Sequence, residues 1–155
     1  MSKTRKSLSL VAILLVMLML VWPTVASAKG NTFYKFTFTE KGDDQPCEVY
    51  SSKNDNVQKW YLSIYRTNPD TGVSSTMSST NIFLARMNKL GNVSGTNHHF
   101  VSNEHRISNY PASGTSFCFP YVYLVDTEMT LYLGGRKTDD STSTTPLIVC
   151  GKYCP

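Results

Sequence analysis

Polar and apolar residues alternate with a period of two in several separate stretches beyond residue 29. In Phe33–Thr39, Tyr34, Phe36 and Phe38 share one parity while Lys35, Thr37 and Thr39 share the other. In Trp60–Arg66, Trp60, Leu62 and Ile64 fall together, opposed by Tyr61, Ser63 and Tyr65. Such alternation, enriched in aromatic and β-branched residues, predicts half-buried strands. Asn81–Asn88 is a further strand with two candidate inner faces, Ile82 and Leu84 or Phe83, Ala85 and Met87. Phe117–Val125 is expected to be extended, with Phe117, Phe119, Tyr121 and Tyr123 turned to the core. Glu128–Leu133 groups Met129, Leu131 and Leu133, and Pro146–Cys150 supplies the last apolar run.

The punctuation between these runs is that of turns. Asn68-Pro69-Asp70-Thr71-Gly72 combines a preset φ at proline with a glycine that tolerates positive φ, and Leu90-Gly91-Asn92 and Pro111-Ala112-Ser113-Gly114 are similar. Asp139–Thr145 is a Ser/Thr-rich connection. No stretch beyond residue 29 carries a helical stripe. The reading is all-β: an antiparallel β-sandwich of about six to seven strands, with a small β-barrel as the second arrangement.

The start of the chain follows different rules. Lys3, Arg5 and Lys6 precede an unbroken apolar run from Leu10 to Trp22; Pro23 ends it and Ala26-Ser27-Ala28 follows. This is the pattern of a cleaved secretory signal over residues 1–28, too short to compare with a spanning helix of roughly 20 apolar residues. Export therefore predicts a secreted single domain, residues 29–155, with no stable membrane insertion after cleavage. The formal charge of +4 shrinks accordingly: three of the 15 basic residues leave with the signal, so 12 face 11 acidic ones. A chain so near neutrality lacks the basic surface that phosphate neutralisation demands, which argues against nucleic acid as a partner.

All four cysteines (Cys47, Cys118, Cys150 and Cys154) lie beyond the signal. An even number in an exported domain predicts two disulfides, with three possible connectivities. Zinc is the alternative for Cys150-x3-Cys154, but no second close pair completes a site.

Candidate chemistry is sparse. His98-His99 and His105 suggest ligands, yet adjacent strand residues point to opposite faces. Glu104-His105 fails as an acid–base pair for the same reason. Asp43-Asp44 and Asp139-Asp140-Ser141 lack the alternating ladder of a calcium loop. Asn92-Val93-Ser94 is a glycosylation sequon. No nucleophile elbow, zinc-protease motif or phosphate loop is present, and the expectation is a non-catalytic protein without metal or cofactor. Aromatics are the positive signal: Trp60, nine Tyr and seven Phe lie beyond the signal. Parity leaves Tyr61, Tyr65 and Tyr132 outside, where a Tyr/Ser/Thr face suits a glycan or a protein partner.

Several short segments carry a family resemblance. Phe36-Thr37-Phe38 near the start of the exported part, Lys59-Trp60 opening a strand, Leu131-Tyr132-Leu133-Gly134-Gly135 before Asp139-Asp140-Ser141, and the closing Val149-Cys150-Gly151-Lys152-Tyr153 are the matching pieces. Taken in this order behind a signal, they resemble small secreted proteins of Gram-positive bacteria grouped only as a domain of unknown function. The chain departs from them in its four cysteines and in ending at Cys154-Pro155 rather than in a tryptophan-containing acidic tail. Some members of that group are encoded beside export and immunity components of bacteriocin systems, so the resemblance implies a secreted, bacteriocin-associated or partner-binding factor. It transfers no catalytic residue. A carbohydrate- or cell-wall-binding module using the tyrosine face is the second function class, and a small hydrolase built on His98, His99 or His105 is the third.

Overall fold

In a computed structural model, described over residues 31–47, 49–90 and 99–155, the chain is all-β. Nine strands follow in order: β1 Thr32–Phe38, β2 Asp44–Pro46, β3 Ser51–Ser52, β4 Lys59–Ile64, β5 Phe83–Lys89, β6 His105–Ile107, β7 Phe117–Pro120, β8 Thr130–Lys137 and β9 Leu147–Cys154. They build two antiparallel sheets. The first, sheet A, has the order β1-β9-β4-β7; sheet B has the order β2-β8-β5-β6, with β3 also paired to β8. No helix among the described residues is long and apolar enough to cross a membrane.

The alternation read from the sequence sets which side chains meet between the sheets. Tyr34, Phe36 and Phe38 of β1 and Trp60, Leu62 and Ile64 of β4 are buried from sheet A. Phe83, Ala85 and Met87 of β5, together with Leu131 and Leu133 of β8, are buried from sheet B, which decides the face of β5. Phe83 lies 5.8 Å from Phe36 and 6.2 Å from Phe38, ring centre to ring centre, so the sheets touch through aromatic contacts. Gly135 makes that approach possible: a Cβ there would sit 2.5 Å from the Phe83 ring. At the other edge His105 of β6 stacks on Phe119 of β7 at 3.9 Å and lies 5.8 Å from Trp60.

The turn at residues 68–72 forms for the reasons its composition suggests. The Asn68 side chain accepts from the amides of Asp70 (2.8 Å) and Thr71 (3.3 Å), and Gly72 adopts φ of 68°. Elsewhere the strand bounds differ from expectation. The extended run at Phe117 stops at Pro120, where a residue without an N–H cannot continue the ladder. The next amide, Tyr121, donates to Gln58 and that of Val122 to Val101, while Tyr123 stays exposed. The three short strands β2, β3 and β6 have only two or three residues each, too few to show a period.

The expected pair of disulfides is not formed: none of Cys47, Cys118, Cys150 and Cys154 is joined to another cysteine. Register explains why. Cys118 and Cys154 are both directly opposite Tyr61, one from each neighbouring strand. Two strand spacings put them roughly 9–10 Å apart, beyond the reach of about 7 Å that a bridge allows. Cys150 and Cys154 lie four residues apart on β9, roughly 13 Å along it. Cys47 belongs to the core cluster between the sheets, whereas Cys150 is covered outside sheet A by the 73–75 segment, its Sγ 3.4 Å from Ser75 Oγ. An even count is a property of the composition; the pairing geometry does not satisfy it.

Candidate functional site: the outer face of sheet B

Outward positions on β8 and β5 build a groove over sheet B. Register places Arg136 beside Leu84, Gly134 beside Arg86 and Tyr132 beside Asn88. On the flank, β2 brings Asp44 next to Arg136. The Arg86 guanidinium bonds Asp44 through Nη2 and donates to Glu104 at 3.2 Å through Nη1. Arg136 grips the same Glu104 with two bonds, 3.2 Å from Nε and 3.0 Å from Nη2. Its remaining nitrogen faces Asp139 at 3.6 Å, and Arg106 faces Asp140 at 3.6 Å. The paired hydrogen bonds to Glu104, together with the nearby carboxylates, outweigh partial burial and push Arg136 above its ordinary value. Both guanidinium planes are therefore fixed, and Arg86 keeps one buried donor, Nε, without a partner among the described residues.

Aromatic rings border this charged floor. Tyr50 meets Tyr132 edge-on at 5.6 Å, and the Arg86 guanidinium lies 5.8 Å from the Phe100 ring. Tyr132 is half-buried, and that burial raises its hydroxyl above the ordinary value. Two adjoining cavities of about 340 and 450 Å³ share Asp44, Arg86 and Phe100, and so form one groove. Gly134 is its floor: a Cβ there would come within 2.3 Å of the Asn88 amide nitrogen. The groove offers flat apolar edges beside polar groups held in place before any ligand arrives.

The residues singled out from the sequence distribute unevenly. Tyr132 belongs to this groove, but Tyr61 lies on β4 and Tyr65 just beyond it, on the outside of the opposite sheet. No single face joins the three tyrosines. His99 lines the groove, while His105 points the other way into the core and His98 lies outside the described residues. Burial holds His105 below the ordinary histidine value. Asp139 and Asp140 face arginines, and Ser141 accepts from the Ile82 amide at 3.0 Å. Asp44 is drawn into the Arg86 network, and Asp43 accepts from Gln45. The sequon at Asn92 lies outside the described residues.

Sequence reasoning missed Arg86, Arg136, Tyr50 and Phe100. Parity alone marks Arg86 as outward once Phe83, Ala85 and Met87 are inward. What it lacks is the register that sets β8 beside β5. Compared with protein-family models, with curated proteins and with solved structures, the chain matches none of them.

Proposed function

We propose that the chain is an exported, non-catalytic carbohydrate-binding module that holds a neutral saccharide along the groove of sheet B. The observation that carries this reading is the internally neutralised network: Arg86 and Arg136 are tied to Asp44, Glu104 and Asp139. A groove whose cations are already matched has little spare charge for phosphate or sulfate, yet it presents fixed donors and acceptors to hydroxyl groups. Tyr132, Tyr50 and Phe100 supply the flat surface against which the apolar face of a sugar ring packs. Asp44 and Glu104 accept from arginines and Asp139 faces one at 3.6 Å, an arrangement that positions a ligand rather than moves protons. Export rests on the leader pattern at residues 1–28, and the Ser/Thr-rich exterior suits an extracellular setting.

The test is retention of the purified domain on insoluble glucan, chitin and bacterial cell wall, followed by titration with soluble fragments of whichever polymer retains it. Tyr132→Ser is expected to weaken binding roughly tenfold, equivalent to about 1.4 kcal/mol. Retention on none of the three polymers, or undiminished binding by the variant, would reject the reading.

A further inference from the structure

The outer face of sheet A carries a different charge pattern. Along β4 the outward residues are Lys59, Tyr61 and Ser63, and Tyr65 and Arg66 follow directly. Register sets Lys152 of β9 beside Ser63, and Lys35 of β1 beside Cys150. Lys35, Lys59 and Arg66 are exposed and Lys152 is half-exposed. Among the described residues none of these four cations forms an ion pair. Two are held against aromatic rings instead: Lys152 Nζ lies 4.3 Å from the centre of Phe33, and Arg66 Cζ lies 4.4 Å from that of Tyr110. Stacking fixes a cation without cancelling its charge. The outward positions of all four strands of this sheet contain no carboxylate. Asp55, whose charge acts on Tyr61 and Cys154, is bonded to the buried Lys53 at 2.6 Å.

Beyond the end of β4 this face opens into a cavity of about 760 Å³ lined by Tyr65, Arg66, Thr67, Tyr110, Ser113 and Thr115; the hydroxyls of Thr67, Tyr110 and Thr115 are engaged by Ser74 and the carbonyls of Ser75 and Ala112. Tyr61 and Tyr65 stand between the cations, with Tyr61 exposed by 38%. We propose that the outer face of sheet A is a second binding site and that its ligand is an acidic polysaccharide carrying widely spaced carboxylates. Charge complementarity selects an anionic chain, and the tyrosines and hydroxyls suit sugar rings. Spacing disfavours nucleic acid. Register sets Lys152 beside Ser63, four positions and roughly 13 Å along β4 from Lys59, and Arg66 lies beyond the end of the strand. Duplex phosphates recur about every 3.4 Å on each strand.

The probes are hyaluronate, which carries one carboxylate on every second sugar, and single-stranded DNA, tested with the purified domain by affinity electrophoresis and titration. Hyaluronate is expected to retard the protein more than DNA at equal charge. Because the contacts are between exposed charges, hyaluronate binding is expected to weaken as salt rises. Arg66→Ala/Lys152→Ala is expected to weaken it roughly tenfold, and Arg66→Lys/Lys152→Arg to restore most of the loss. Circular dichroism of both variants keeps a folding defect apart from a lost contact. Absence of retardation by hyaluronate, stronger retardation by DNA, indifference to salt, or a folded alanine variant that binds unchanged would overturn the proposal.

Discussion

The two outer faces of the sandwich use the same residue types to opposite effect. On sheet B three arginines, Arg86, Arg106 and Arg136, meet four carboxylates, those of Asp44, Glu104, Asp139 and Asp140. On sheet A Lys35, Lys59, Arg66 and Lys152 form no ion pair among the described residues, and two of them rest on rings. A near-neutral sum over residues 29–155 therefore conceals one matched face and one unmatched face. Net charge excludes a partner only when the charges are evenly spread; here each face has to be judged by its own balance. Tyrosine occurs on both, so the aromatic signal alone says that a surface is suited to binding without saying what it binds.

Three changes would break or sharpen this contrast. The largest effect is expected from Gly134→Val, which drives a side chain into the Asn88 amide at the floor of sheet B. Saccharide binding there should fall by more than tenfold, with a loss of about 1–3 kcal/mol in unfolding free energy. Calorimetric titration and chemical denaturation read the two effects. Full saccharide affinity in this variant would show that the groove is not the site.

Next comes Asp44→Asn/Glu104→Gln, which leaves Arg86 without a carboxylate partner and Arg136 with Asp139 alone. Sheet B would then resemble sheet A, and hyaluronate binding should strengthen roughly fivefold at low salt. The exposed pairs lost are worth about 1 kcal/mol or less each. An unchanged affinity would mean that charge matching does not distinguish the faces.

The smallest effect concerns the shared core rather than either face. His105 stacks on Phe119 near Trp60, opposite Ala85, and burial lowers its pKa below the ordinary 6.5. The unfolded chain thus takes up this proton at a higher pH than the folded one. The stabilisation is fully present above pH 6.5 and is lost as the pH falls through the depressed folded value. Melting temperature should drop by a few degrees between pH 7.5 and 5, and His105→Phe should flatten that part of the profile. An equally steep profile in the variant would assign the dependence to other groups.

How far the chain could be read in advance depended on whether a feature was local. Fold class, the inner faces of β1 and β4 and the turn at Asn68–Gly72 were legible, because period-two alternation and turn chemistry act within a few residues. The outward direction of Tyr61, Tyr65 and Tyr132 was legible too. That they fall on opposite sheets was not, because parity gives a side of a strand and says nothing about its sheet. The cysteines were misread for the same reason: their number is visible in the chain, but Cys118 and Cys154 are kept apart by the strand between them. The Arg86–Glu104–Arg136 network depends on β5, β8 and the approach to β6 coming together across long separations. Glu104 caught attention only as a neighbour of His105, a residue that faces the opposite way.

The central claim is that two independent ligand faces lie back to back on one sandwich. The direct measurement is to titrate hyaluronate into the domain already saturated with the neutral saccharide it retains. The account predicts an unchanged hyaluronate affinity and a ternary complex; displacement of one ligand by the other would contradict it.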